Sequence, residues 1–271
     1  MSSRLNQTLA DLRAQQRAGL IVYLAAGDPD FGTSLALLNA AAQAGADMIE
    51  FGMPFSDPVA DGPTLQQAHQ RALAAGQTLD KTLRLLASWR EAQPRTPAIL
   101  MGYLNPVLSY GVERFMQDAA TAGADALILV DLPYEHASSY RAMAKQHDLS
   151  LIQMTAPSTD PERQRMILRQ ADGLVYQVML NGTTGAADSD PQVMIPMLRA
   201  LRQHTDLPLA AGFGIQTEEQ AQALAQEADL VVVGSELVRS IQAGPIESAL
   251  ERCASTVAVF SHAVHTARER I

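Results

Sequence analysis

Short, continuously apolar runs alternate along the chain with longer segments in which apolar residues recur at helical spacing. Runs that are apolar on both faces are typical of parallel strands covered on both sides. The alternation of such strands with helices predicts parallel pairing through right-handed crossovers. The eight runs are residues 19–25, 48–52, 98–103, 126–130, 151–154, 173–178, 207–212 and 230–234.

A weak internal repeat supports this interpretation. AGADMIEFG, AGADALILVD, QADGLVYQV and EADLVVVG each end a helix with a small residue and an aspartate, and then enter a strand. Eight strands with such repeats favour an α/β fold of the closed (β/α)8 TIM-barrel type over an open doubly wound sheet. Extra helices are predicted at the N-terminus and after strand 2, and a long final helix from Pro245. Because the sequence contains no low-complexity linker, residues 1–271 are predicted to form a single TIM-barrel domain.

Composition narrows the functions of such a barrel. Of the 271 residues, 47% are apolar and 18% are charged, and the net charge is −9. The negative charge argues against nucleic acid as a partner, and no run approaches the ~20 apolar residues of a membrane span. The opening segment has the pattern of an amphipathic helix and not of a signal peptide. Since Cys253 is the single cysteine, we expect a cytoplasmic protein.

Polar residues that follow the strands are the candidates for chemistry, because active sites of these barrels are built from the loops after the strands. Glu50 is the sharpest anomaly, since it lies inside the apolar run MIEFG. Burial raises the pKa of a carboxyl group, which suits a general acid or base; a structural carboxyl bonded to a strand end is the alternative. The loop PFSDPVADGP adds Asp57 and Asp61, one of which is expected to cap the helix that starts near Pro63.

Glycines after the last three strands form a second set of candidates. Loops after the seventh and eighth strands of such barrels, together with a helix N-terminus, often bind a phosphate group through backbone N–H groups. Tight turns and helix caps are the alternative for any one glycine alone. Loop by loop, the residues are Gly182 and Gly185, Gly212 and Gly214, and Gly234 with Ser235.

Two mechanisms are disfavoured by what the sequence lacks. A Schiff-base aldolase needs a lysine at a strand end, whereas the two lysines, Lys81 and Lys145, lie in helical segments. A metal site needs clustered ligands, whereas the six histidines are scattered over helices. The expectation that remains is acid/base chemistry on a phosphate ester, without a metal or a cofactor.

The segment IEFGMPFSDPVADGPTLQ closely resembles the signature of the tryptophan synthase α subunit family. AGDPD, MGYLNP, VDLPYE, GFGI and VVVGS are also similar to motifs of this family, in the same order and along nearly the whole chain. The resemblance implies retro-aldol cleavage of indole-3-glycerol phosphate to indole and glyceraldehyde 3-phosphate in tryptophan biosynthesis, with no cofactor on this chain. It also implies a partner, a β subunit that carries pyridoxal phosphate, in an α2β2 heterotetramer.

The resemblance also implies roles for individual residues. Glu50 would protonate indole C3 and assist at the glycerol hydroxyl, while Asp61 would bind the indole N–H and stabilise the positive charge of the indolenine intermediate. Tyr176 matches a supporting tyrosine of the site, and Thr184 matches a loop threonine that pairs with the catalytic aspartate. The phosphate site is assigned to Gly185, Gly214, Gly234 and Ser235, the indole pocket to Tyr23, Met101, Val130 and Phe213, and the partner interface to Asp57 and Pro58.

Three other functions stay open on the sequence. A stand-alone indole-3-glycerol phosphate lyase would release free indole for another pathway. A catalytically altered paralogue would only bind a β subunit. A sugar-phosphate isomerase on a similar barrel would share the phosphate glycines but not the spacing of Glu50 and Asp61.

Overall fold

The strands form one sheet in which every pairing is parallel. The computed structural model describes residues 2–178, 191–212 and 214–268. The strands are β1 (Gly19–Ala25), β2 (Met48–Gly52), β3 (Ala98–Gly102), β4 (Ala126–Leu129), β5 (Ser150–Leu151), β6 (Gln153–Thr155), β7 (Val175–Val178), β8 (Leu209–Gly212) and β9 (Leu230–Val233). Their order in the sheet is β5-β4-β3-β2-β1-β9-β8-β7-β6.

The barrel closes through one strand that is interrupted at Ile152. On one side of the interruption β5 pairs with β4, and on the other β6 pairs with β7. Ile152 itself donates its N–H to the carbonyl of Leu127 at 2.9 Å, which continues the ladder with β4. Because β5 and β6 are two halves of one strand, the nine segments correspond to the eight apolar runs, and the predicted TIM barrel is confirmed.

Helices cover the outside of the sheet. They are α1 (Ser3–Ala14), α2 (Phe31–Gln43), α3 (Pro63–Ala74), α4 (Leu79–Ala92), α5 (Leu104–Tyr110), α6 (Val112–Ala122), α7 (Ser138–Gln146), α8 (Pro161–Gln170), α9 (Pro191–Arg202), α10 (Glu218–Ala225), α11 (Ser235–Gln242) and α12 (Ala249–Thr266). Helix α1 and the α3–α4 pair confirm the predicted extra helices. The final helix begins at Ala249 because a separate 3-10 turn, Ile246–Ser248, follows Pro245. In the part of the chain that the structure describes, no helix is long and apolar enough to span a membrane.

The strands are buried on both faces, as their continuous hydrophobicity predicts. Every residue of β1, β2, β3, β4, β8 and β9 is buried. Apolar side chains supply most of the stabilising contacts there, since burial of apolar area drives folding. Glu50, the one carboxylate in β2, therefore lies in surroundings that disfavour its charge.

Three of the four aspartates of the internal repeat, Asp47, Asp125 and Asp229, have a structural role at the entry ends of the strands. Each accepts a hydrogen bond at 2.8 Å from the N–H of one of the first two residues of the neighbouring strand. Each also pairs with an arginine, which compensates its charge. The sets are Asp47 with Leu20 and Arg17, Asp125 with Ala98 and Arg90, and Asp229 with Leu209 and Arg202. The repeat thus fixes strand register at the end of the barrel opposite the loops that carry the candidate site.

Candidate active site

Glu50 occupies the middle of β2 with only 1% of its surface exposed. It lines a cavity of about 30 Å³ together with Tyr23 of β1, Met101 of β3 and Tyr176 of β7, so it faces the barrel interior. Burial raises the pKa of Glu50 from 4.5 to about 8. Among the described residues, Oε1 of Glu50 has no hydrogen-bond partner. A protonated carboxyl with a free oxygen inside a barrel can exchange a proton with a ligand.

Asp61 reaches the site from the loop between β2 and α3. It is 4% exposed, and its Oδ2 accepts a hydrogen bond from the Tyr103 hydroxyl at 2.8 Å. That hydroxyl accepts in turn from the N–H of Ala60 at 3.0 Å, so Tyr103 orients both the loop backbone and the carboxylate. Burial, followed by the charge of Asp61, raises the pKa of Tyr103, which keeps the phenol protonated as a donor.

The expectation that an aspartate of this loop caps α3 is wrong, although the helix does start at Pro63. Gly62 is the N-cap residue, and no side chain caps the helix. The proline at the first helical position has no N–H to satisfy, which lowers the need for a capping side chain. Asp61 turns into the barrel instead, and Asp57 accepts a hydrogen bond from the hydroxyl of its neighbour Ser56.

Each of two tyrosine rings covers a glycine at the end of the strand next to its own. Tyr23 of β1 covers Gly52 of β2, and Tyr176 of β7 covers Gly212 of β8. A Cβ on Gly52 would lie 2.0 Å from the Tyr23 hydroxyl, and a Cβ on Gly212 would lie 2.1 Å from the Tyr176 hydroxyl. Burial raises the pKa of both phenols. The negative charges of Asp61 and Glu50 raise both pKa values further, so the two tyrosines stay neutral beside the carboxyl groups.

The described glycines of the predicted phosphate site lie beside Glu50. Gly214, Gly234 and Ser235 line the same small cavity. Gly214 has φ +84°, a left-handed conformation that favours glycine. Gly234 is the N-cap residue of α11 and Ser235 is its first residue, so backbone N–H groups of the first turn are available to an anion. Thr184, Gly185 and Phe213, which were also predicted for the site, lie outside the described residues.

Three residues of the predicted indole pocket lie in the described part of the chain. They are the buried Tyr23 and Met101 and the half-buried Val130. A second cavity, of about 10 Å³, is lined by all three together with Asp61. Tyr23 and Met101 line both cavities and therefore separate the Glu50 side from the Asp61 side.

Asp57 and Pro58, the residues predicted to face a partner, differ in exposure. Asp57 is exposed and Pro58 is buried. Val59, the next residue of the same loop, is 71% exposed, which is unusual for a large apolar side chain. The loop therefore presents a charged and an apolar side chain to its surroundings.

His69 lies in the site, a position that is not predicted when the histidines are taken as scattered residues of helices. On α3, buried positions Leu65, Ala68, His69 and Ala72 follow helical spacing, which was the available signal. The imidazole is 1% exposed and its Nε2 lies 3.4 Å from Oδ2 of Asp61. Among the described residues, no group of three or more His, Cys, Asp or Glu side chains is placed to hold a metal ion.

Comparison with known proteins gives consistent matches over nearly the full length. The family model described as "Tryptophan synthase alpha chain" matches residues 9–267. A tryptophan synthase alpha chain from Gluconacetobacter diazotrophicus is 46% identical over 274 residues, which cover 98% of this chain and 99% of the relative. The crystal structure of tryptophan synthase subunit alpha from Legionella pneumophila has a TM-score of 0.89 at 36% identity, and the match covers 97% and 99% of the two chains. A structure of Mycobacterium tuberculosis tryptophan synthase has a TM-score of 0.88 at 36% identity, with 98% and 99% covered.

Proposed function

The chain belongs to the tryptophan synthase alpha chain family, and on that premise we propose that Glu50 and Asp61 carry its reaction. The activity is that of an indoleglycerol phosphate lyase in tryptophan biosynthesis, which cleaves indole-3-glycerol phosphate to indole and glyceraldehyde 3-phosphate. One observation supports the assignment most directly. Glu50 is a carboxyl group inside the barrel, and no described residue bonds its Oε1.

Glu50 is the proton-transfer group in this proposal. With a pKa of about 8 it is protonated near neutral pH and can donate its proton to C3 of the indole ring. The resulting carboxylate then takes the proton of the glycerol hydroxyl next to the ring. As the C–O bond becomes a carbonyl, the C–C bond breaks and its electron pair returns to the ring. Glu50 ends the cycle protonated, and the products are indole and the aldehyde.

Asp61 is the group that stabilises charge in this proposal. Protonation at C3 leaves the ring nitrogen positively charged, so a carboxylate at the N–H lowers the energy of the intermediate. The hydrogen bond from Tyr103 holds the Asp61 carboxyl group in place inside the barrel. Since a water-poor site strengthens such an interaction, the burial of Asp61 supports the same role. Tyr176 supports the site from β7, and Thr184 is proposed to pair with Asp61.

Phosphate recognition is proposed at the backbone N–H groups around Gly185, Gly214, Gly234 and Ser235. The first turn of α11 supplies backbone N–H groups that have no partner within the helix, and the positive end of a helix dipole. The indole ring is proposed to lie between Tyr23, Met101, Val130 and Phe213, where apolar walls hold it at the two carboxyl groups.

Indole release by the purified chain tests the two catalytic roles. Glu50→Gln and Asp61→Asn keep the size of each side chain, and we expect each to lower kcat by at least about 100-fold. Glu113→Gln, on the exposed face of α6, is the matched control and keeps normal turnover. Normal indole release by Glu50→Gln would exclude the proton-transfer role.

A tryptophan synthase β subunit is the proposed partner, in an α2β2 heterotetramer. Asp57, Pro58 and the 71% exposed Val59 lie in the loop that also carries Asp61. Binding at that loop would therefore act on the catalytic carboxylate through a few backbone bonds. Turnover measured with and without a β subunit tests the proposal, and we expect activation by the partner. Equal and fast turnover without it would favour a stand-alone lyase.

Two further properties are proposed on simpler grounds. The chain folds as one TIM-barrel domain, since α1 and α12 pack into the same core cluster as the strands. A cytoplasmic location is supported by Cys253, which is a free and buried thiol.

A further inference from the structure

The His69 ring is held by three groups from different parts of the chain. The backbone N–H of Phe55, early in the β2–α3 loop, points at Nδ1 at 3.1 Å. The hydroxyl of Tyr23, on β1, lies 3.1 Å from Nε2. Oδ2 of Asp61, late in the same loop, lies 3.4 Å from Nε2. The ring therefore links both ends of the loop to the first strand.

These contacts decide where the ring carries its proton. The Phe55 N–H is a donor, so Nδ1 must accept and cannot itself carry a hydrogen. A neutral imidazole with an unprotonated Nδ1 has its proton on Nε2. An imidazolium would direct a second N–H against the Phe55 N–H, in a site where only 1% of the residue is exposed to water.

We propose that His69 is a positioning residue for Asp61, a neutral imidazole that donates its Nε2–H to the Tyr23 hydroxyl and places that N–H 3.4 Å from Oδ2 of Asp61. Tyr103, on the segment after β3, donates a hydrogen bond to the same oxygen of Asp61. The hydrogen bond from Tyr103 and the close contact with the His69 ring together limit where the Asp61 carboxylate can lie, and hence the direction in which it meets the indole N–H. This inference rests on the proposed role of Asp61.

The proposal also accounts for a histidine on the buried face of α3. An apolar side chain would pack there without the desolvation cost of an imidazole. The histidine instead accepts from a loop N–H and places a polar N–H beside a buried carboxylate. A neutral donor leaves the charge of Asp61 intact for the positive intermediate, whereas an imidazolium would neutralise it.

A double-mutant cycle separates positioning from simple packing. His69→Leu removes both ring nitrogens, and His69→Gln restores an N–H donor near the place of Nε2. With saturating indole-3-glycerol phosphate we expect His69→Leu to lower kcat by about ten-fold or more, because a buried carboxylate loses a polar neighbour and the Phe55 N–H loses its acceptor. We expect His69→Gln to recover most of that loss. In an Asp61→Asn background, His69→Leu should change kcat by less than about two-fold.

The outcomes distinguish the possible failures. Equal relative losses in both backgrounds, with no rescue by glutamine, would mean that His69 only packs, and the inference would be overturned. Normal turnover of Asp61→Asn alone would overturn the proposed role of Asp61 itself.

The nitrogen NMR spectrum of ¹⁵N-histidine-labelled wild-type protein gives a test that does not depend on any variant being active. The His69 signal is identified by its absence from the spectrum of His69→Gln. At neutral pH we expect the signature of a neutral ring protonated at Nε2, whereas an imidazolium signature would refute the proposal.

Discussion

The raised pKa of Glu50 predicts a specific loss of stability as pH increases. A carboxyl group whose pKa is higher in the folded than in the unfolded protein keeps its proton longer when folded. The contribution of Glu50 to the unfolding free energy is therefore largest below pH 4.5. It falls as the pH rises and becomes constant above about pH 8. Glu50→Gln replaces the titrating group with a neutral one of the same shape, so this part of the pH dependence should vanish.

The size of the effect follows from the two pKa values. They are 4.5 and about 8, and each intervening pH unit is worth about 1.4 kcal/mol, so full ionisation of Glu50 in the folded protein costs roughly 5 kcal/mol. Between pH 5 and pH 8 the wild type should lose roughly 3 to 4 kcal/mol relative to the variant. A loss of that size is a large fraction of the stability of an ordinary domain.

Urea unfolding of the ligand-free protein at a series of pH values measures this difference. The wild type and Glu50→Gln are compared at each pH, with Glu113→Gln on the exposed surface of α6 as the control. We expect the curves of the wild type and Glu113→Gln to run in parallel, and that of Glu50→Gln to diverge upward with pH. A constant difference between the wild type and Glu50→Gln from pH 5 to 8 would refute the desolvation of Glu50, and with it the argument that it is an acid at neutral pH.

Three substitutions test other parts of the structure. Asp125→Ala leaves two arginines and a strand N–H without their buried carboxylate. We therefore expect the unfolding free energy, measured by urea unfolding, to fall by about 3 to 5 kcal/mol. A fall below about 1 kcal/mol would contradict the structural role of Asp125. Gly52→Ala places a Cβ 2.0 Å from the Tyr23 hydroxyl, so the Tyr23 ring must move. We expect the rate of indole release to fall about ten-fold to 100-fold. Unchanged kinetics would show that catalysis does not need the ring in this position. Tyr103→Phe removes the 2.8 Å hydrogen bond to Asp61, so kcat should fall about ten-fold with little change in KM; a change in KM alone would point to substrate binding instead.

Some features of the barrel follow from local sequence signals. Strands that are apolar on both faces and helices with one apolar face are encoded in spacings of a few residues, so the eight runs and the extra helices were predictable. The interruption at Ile152 was not, because the run LIQM shows no break and the two halves differ only in which neighbouring strand they pair with. The start of α3 was predicted from Pro63, but the direction of the Asp61 side chain was not.

The two carboxylates proposed to be catalytic differ in how far the sequence alone identifies them. Glu50 was identifiable from sequence because a carboxylate in an apolar strand is a local anomaly, whereas the setting of Asp61 depends on residues far away in the chain. Tyr103 is 42 positions from Asp61, and Tyr23 is 46 positions from His69. No short-range periodicity relates such pairs. They meet because parallel strands bring the ends of β1, β2 and β3 together, so the sequence alone identified a buried acid in a barrel, and only the tertiary structure assembled the hydrogen-bonded group around Asp61.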